Sequence, residues 1–225
     1  MSRRIAPSIL ATCVLPFDEG GSFLEADFRQ HLALVARDFT RHVYIFGTAG
    51  EGYAVTDDQF GHIAEIFHDE ATALGIEPML GVISLSLGTV IERIELGARL
   101  GFRRFQLSFP SWGALTERER GVFFDETCGR FGELSFLHYN TVRGRVVLTG
   151  ADYGRLAARH ENLVACKFSS SDEARVVELV ANSDPVQCFL TEYAYAIARQ
   201  RLEGVECGLL LSLSGFDGSL AGALV

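Results

Sequence analysis

The stretch LVACKFSSSD (163–172) reads as six apolar-run residues broken by one lysine, followed at once by polar residues that favour a helix start. An apolar run of this length, without polar alternation, suits a strand covered on both faces of its sheet. The serines and Asp172 behind it suit a helix entry, with Ser170 and Glu173 at capping-box spacing. One strand followed by one helix is therefore the unit read here. Lys167 lies at the strand's end, and it is the only lysine in 225 residues, whereas the other 19 basic residues are arginine.

The same unit recurs along the chain. Strand-like runs occur at SILATCVL (8–15), HVYIFG (42–47), EPMLGVI (77–83) and RRFQLSF (103–109). Others follow at LSFLHYN (134–140), VQCFLT (186–191) and CGLLLSL (207–213). Amphipathic segments such as FLEADFRQHLALVARD (23–38) and TDDQFGHIAEIFHDEATALG (56–75) separate them. Thr56 with Gln59, Thr89 with Glu92, and Thr116 with Glu119 repeat the capping-box spacing. Eight strands, each separated from the next by a helix, imply parallel pairing through crossovers, and eight such units predict one α/β domain over 1–225, a (β/α)8 TIM barrel. A doubly wound sheet is the competing arrangement, but no G-x-G-x-x-G follows the first strand.

Composition narrows the function. A net charge of -9 and the lack of any lysine/arginine run argue against nucleic acid as a partner. No stretch approaches 18 apolar residues and no signal-peptide h-region follows the first arginines, so the expected setting is cytoplasmic, with no membrane partner. Five scattered cysteines (13, 128, 166, 188, 207) without a C-x-x-C are expected to be reduced and largely core. His62 and His68 stand six apart, outside the spacing of a helical zinc pair, so no metal site is expected.

Function in such a barrel gathers at the C-terminal ends of the strands. That rule brings together Lys167, Tyr139 at the end of strand five, and the GTAGEG loop (47–52) after strand two. A desolvated lysine loses pKa and exposes the neutral amine that attacks a carbonyl, which arginine cannot do. The plainer alternative is an amine that snorkels to water or pairs with a carboxylate, for which Asp172 is near in sequence. Tyr139 is either a core aromatic or a proton shuttle facing the lysine. The glycine loop is either a tight turn or a cradle of backbone N–H groups for a carboxylate. Arg143 and Arg145 are either a solvated loop or a rim cation pair for a second carboxylate.

Four segments carry a resemblance to the dihydrodipicolinate synthase/N-acetylneuraminate lyase family: ATCVLPF (11–17), GTAGEGYAVT (47–56), LHYNTVRG (137–144) and LVACKFSSSD. Tyr139 and Lys167 stand 28 residues apart, as the family's strand-five tyrosine and strand-six lysine do. The resemblance implies a (β/α)8 barrel whose lysine forms an imine with a 2-oxo acid such as pyruvate. Tyr139 would handle protons, and Thr48 with Ala49 would bind the substrate carboxylate. The covalent imine would replace any metal or organic cofactor. A homo-oligomer, dimer or tetramer, is implied as well.

Three departures qualify what is expected. Ala49 stands where dihydrodipicolinate synthase proper looks to have a second threonine, and Trp112 stands where that enzyme has a tyrosine-bearing segment. Both point away from that reaction and toward larger or more apolar 2-oxo acids, with Trp112 and Leu210 assigned to substrate binding. Third, GFDGSLAGALV (215–225) is short against the family's C-terminal helical region, so most of that region is expected to be missing. Apolar surface on strands eight and one should then be exposed. The expected activity is a class I aldolase or dehydratase. The alternative is a catalytically impaired barrel that binds or senses a 2-oxo acid.

Overall fold

Each apolar run becomes a strand in the structure, a computed structural model that describes residues 5–211. The first four are β1 (Ile9–Thr12), β2 (His42–Ile45), β3 (Glu77–Gly81) and β4 (Arg104–Leu107). They continue as β5 (Ser135–Asn140), β6 (Leu163–Phe168), β7 (Gln187–Thr191) and β8 (Gly208–Leu211). All pair in parallel in chain order, and β8 returns to β1 through Ile9–Leu209 and Leu10–Leu210 to close the barrel. Closure leaves no strand edge unpaired. The run read to 213 ends as a described strand at Leu211, and 215–225 lies outside the described residues.

Seven α-helices among the described residues cover the barrel: α1 (Glu25–Asp38), α2 (Asp57–Leu74), α3 (Leu87–Leu100), α4 (Glu117–Phe124), α5 (Gly150–Arg159), α6 (Glu173–Asn182) and α7 (Glu192–Arg201). Thr56 and Thr116 close the expected capping boxes with Gln59 and Glu119. Two other caps differ from expectation. Helix α3 starts earlier, capped by Ser86, which accepts from the Thr89 amide, so Thr89 is inside the helix. Helix α6 is capped by Asp172, while Ser170 takes the Asp172 amide in the preceding turn. Thr149 with Asp152 forms a further box, with aspartate in the role usually given to glutamate.

Packing falls into two shells, as the inward–outward alternation of a strand requires. Inside the barrel, Leu10, Tyr44, Met79, Leu137, Phe189 and Leu210 meet one another. Outside it, between strands and helices, lies the larger core, with Phe28, Phe60, Phe67, Phe105 and Phe124 fully buried. Of the apolar exposure expected on strands eight and one, the described residues show little: Val14 is exposed just past β1, but the outward side of β8 is covered. Leu209 and Leu211 are buried and pack with Ile9, Phe39 and Tyr195.

Candidate active site at the barrel mouth

Lys167 belongs to the inner shell, because β6 turns it toward the barrel axis, and it is 2% exposed. It is the cross-strand partner of Tyr139 on β5 and of Phe189 on β7. Its Nζ lies over the Tyr139 ring, 3.8 Å from the centre. The amine donates to the Tyr44 hydroxyl and to Gln106 Oε1, each at 3.0 Å. Burial pushes it down to about 8, against a smaller opposing effect of Tyr139. It neither snorkels to water nor pairs with Asp172. That carboxylate is exposed on the α6 cap, beside Arg175.

The glycine loop is held by its backbone. Phe46, at the end of β2, adopts φ 55°, a left-handed conformation that costs a non-glycine residue roughly 1 kcal/mol or more. Stacking of its ring on Phe60, with centroids 4.6 Å apart, opposes that cost. A Cβ on Gly52 would meet the Phe46 carbonyl oxygen at 2.3 Å, and one on Gly81 would meet it at 2.6 Å, so only glycine fits at either place. The turn's own hydrogen bonds come from the amides of Glu51 and Gly52, to Thr48 and Gly47, and among the described residues none is donated to backbone by the amides of Thr48, Ala49 and Gly50. Arg93, buried on α3, donates to the loop's Gly52 carbonyl at 3.5 Å and is itself held by the Ile83 carbonyl at 2.7 Å and Asp57 at 3.0 Å.

A cavity of about 810 Å³ opens at this end of the barrel. Thr48, Ser84, Ser108, Ser111 and Thr141 give it hydroxyls, and Arg143 and Arg145 line it too. The loop that carries these arginines is clamped by Asn140. Its Nδ2 donates to the Leu148 carbonyl at 2.8 Å, and its Oδ1 accepts from the Leu148 amide at 2.9 Å. Arg145 is further fixed by donating to the Ser111 carbonyl at 3.1 Å.

The structure brings Lys167 and Tyr139 together, and it places Thr48, Arg143 and Arg145 around the cavity. It separates the rest. Ala49 is exposed and absent from the cavity lining. Trp112 is 79% exposed, while its neighbour Ser111 lines the cavity. Leu210 is buried in the inner shell and does not line the cavity. The cavity lining also stops short of Lys167 and Tyr139. The sequence reading missed Tyr44 and Gln106, the two partners of the amine. Their signal was polarity at inward positions of otherwise apolar strands.

All five cysteines are buried, and none forms a disulfide. Among the described residues no cluster of three or more metal-ligating side chains is found. Among them, too, no helix is long and apolar enough to cross a membrane.

A model of the dihydrodipicolinate synthetase family matches residues 6–196. No curated protein matches the sequence. Among solved structures, the 4-hydroxy-tetrahydrodipicolinate synthase of Methylacidiphilum fumariolicum SolV superposes with a TM-score of 0.85 at 17% identity, covering 98% of this chain and 73% of that one. CdNal from Clostridium difficile, in complex with mannosamine, gives 0.81 at 19% identity over 96% and 73% of the two chains. A monomeric dihydrodipicolinate synthase variant gives 0.80 at 14% identity over 97% and 78%. At such identities the likeness is one of fold, and this chain is shorter than each of the three.

Proposed function

This chain belongs to the dihydrodipicolinate synthetase family, and from that premise we propose that it is a class I lyase in which Lys167 forms an imine with a 2-oxo acid. The neutral amine adds to the C2 carbonyl, and loss of water from the carbinolamine gives the imine. The protonated imine then accepts the electron pair released when a C–C bond breaks or a C3 proton leaves, and the enamine returns the pair on protonation. Condensation runs the same steps in reverse, and dehydration expels a leaving hydroxyl from the enamine. Tyr139 moves the protons. The imine is its own electron sink, so the reaction needs no metal or organic cofactor.

One observation carries this reading: the chain's single lysine is buried at the end of β6 against Tyr139, its pKa depressed toward neutrality. The amides and hydroxyl of Thr48 and its loop neighbours suit the 2-oxo carboxylate. Arg143 and Arg145 suit a second anionic group. A mouth of about 810 Å³ exceeds what pyruvate alone would fill and favours a longer 2-oxo acid. Ala49 and Trp112, in place of threonine and a tyrosine-bearing segment, support a substrate other than that of dihydrodipicolinate synthase proper. A homo-oligomer is part of the proposal, though one structural neighbour is described as monomeric.

Borohydride trapping tests it. Incubation with pyruvate and with longer 2-oxo acids should add the reduced adduct to the intact mass of the wild type and leave Lys167→Arg unmodified. No adduct on folded protein with any of them would remove the lyase. A second reading rests on the cavity lining that stops short of Lys167: a barrel that binds 2-oxo acids without turning them over. Adduct formation with no product from any acid screened would favour it.

A further inference from the structure

Two partners of Lys167 have no part in the imine chemistry just described. Tyr44 on β2 and Gln106 on β4 point into the barrel, 3% and 0% exposed, at positions where an apolar side chain would fill the interior without desolvating a polar group. Gln106 carries a further cost. Its Nε2 has no hydrogen-bond partner among the described residues, and an unmade buried hydrogen bond of this kind costs about 1–3 kcal/mol. The amide is oriented by its other end, since a lysine amine in its charged form only donates and requires the carbonyl oxygen to face it.

What surrounds Nζ has one electrostatic sign. Gln106 Oε1 and the Tyr44 oxygen both accept from it at 3.0 Å. The face of the Tyr139 ring, negative by its quadrupole, lies with its centre 3.8 Å away. Burial pushes the Tyr44 hydroxyl up to about 12, so it stays a neutral phenol across the working range, and Glu192 adds to that rise. Phe189 on β7, beside Lys167 in register, is uncharged. No described carboxylate pairs with the amine.

We propose that Tyr44 and Gln106, with the Tyr139 ring, form a cage that holds Lys167 as its ammonium in the resting barrel and sets the pH at which the amine becomes nucleophilic. Tyr44 and Gln106 are positioning residues, acting through Lys167 rather than on substrate. Each element of the cage favours the cation, whereas burial favours the neutral amine. Because the cage contains no counter-charge, it offsets burial only in part. The amine is left within reach of neutral pH, neither locked as a cation nor free. The consequence for imine formation rests on the lyase reading above, but the cage does not.

The single lysine makes the test direct. Full-length protein labelled with 13Cε-lysine gives one lysine signal, whose shift against pH reads the midpoint of Lys167 without substrate. Gln106→Met, which keeps length and removes the acceptor, should lower the midpoint by about one unit, as should Tyr44→Phe, which keeps the ring. Gln106→Glu should raise it. At pH 7, a one-unit drop from about 8 gives about fivefold more neutral amine and a matching gain in the rate of pyruvate trapping. Unchanged midpoints, or Gln106→Met and Gln106→Glu moving the same way, would overturn the cage. Should Gln106→Met fail to show a cooperative melt, Tyr44→Phe carries the test. A wild type that titrates as expected but traps no 2-oxo acid would end the lyase proposal and leave the cage standing.

Discussion

Lys167 and Tyr139 meet as cross-strand partners on β6 and β5, and the amine contacts the face of the tyrosine ring while its hydrogen bonds go to Tyr44 and Gln106. The ring and the hydroxyl of Tyr139 can therefore be separated by mutation. Tyr139→Phe should still form the borohydride-trapped adduct. Enamine formation, read as exchange of the pyruvate methyl protons for deuterium by NMR, should fall by about 10²-fold or more. Equal losses in trapping and in exchange would show that the hydroxyl is not the proton carrier.

The depressed lysine has a thermodynamic signature. Its folded value of about 8 lies below the unfolded 10.5, so the folded state binds fewer protons between these values and stability rises with pH across that window. Below pH 8 the cost of burying the charge is fully present, at most ~3–4 kcal/mol. Lys167→Met should therefore melt higher than wild type at pH 7. The gap should narrow toward pH 10, as measured by thermal denaturation at both values.

His138 predicts an acid limit. It is fully buried on the outer face of β5, bonded to the Tyr153 hydroxyl at 2.7 Å, and burial pushes its pKa down to about 3. The unfolded chain takes up that proton near pH 6.5, so the stability this histidine supports above 6.5 is lost as pH falls toward 3. The full effect is at most ~4–5 kcal/mol. In chemical denaturation, His138→Phe should be less stable at pH 7, because Tyr153 loses its partner, yet show a shallower decline between pH 6 and 4.

Asn140 predicts a division between binding and chemistry. Asn140→Leu strands the buried amide and carbonyl of Leu148, which should cost about 2–4 kcal/mol in the melt. It also unfastens the loop bearing Arg143 and Arg145. For a 2-oxo diacid, KM should rise by about tenfold while kcat changes little, since Lys167 and Tyr139 lie on the strands below. A fall in kcat alone would place the loop in the chemistry instead.

Much of the barrel was legible in the sequence because parallel strands covered on both faces leave unbroken apolar runs, and LVACKF and VQCFLT could hardly be read otherwise. The helix at 56–75 was equally plain, with Thr56 at its start and a left-handed Gly75 at its end. Caps were less so. Thr89 has the right residue three places on, but Ser86 lies one turn earlier and takes the position, and the template overlooked Asp152 as a partner for Thr149. Within the candidate site, residues at strand ends could be placed by topology alone. Tyr44 and Gln106 are next to last in their strands, as Lys167 and Tyr139 are, but they lie on strands two and four and meet Lys167 only across the barrel, a distance that no local pattern encodes. Trp112 shows the same limit from the other side: a large aromatic next to a strand end says nothing of its burial, and it is 79% exposed beside the cavity-lining Ser111.

The carbonyl of Phe46, gripped between Gly52 and Gly81, divides the mouth into two halves of unequal tolerance. On the β2–β3 side a carbon added at Gly52 or Gly81 collides with main chain, so the backbone there is fixed at two glycines. On the β4–β5 side, Ser111, Trp112, Val142 and Arg143 stand on surface loops, where exchange of a side chain displaces no backbone. New substrates, whether reached by evolution or by a designed library, would enter through that second half. The first would act as a fixed jaw against which each new fit is made.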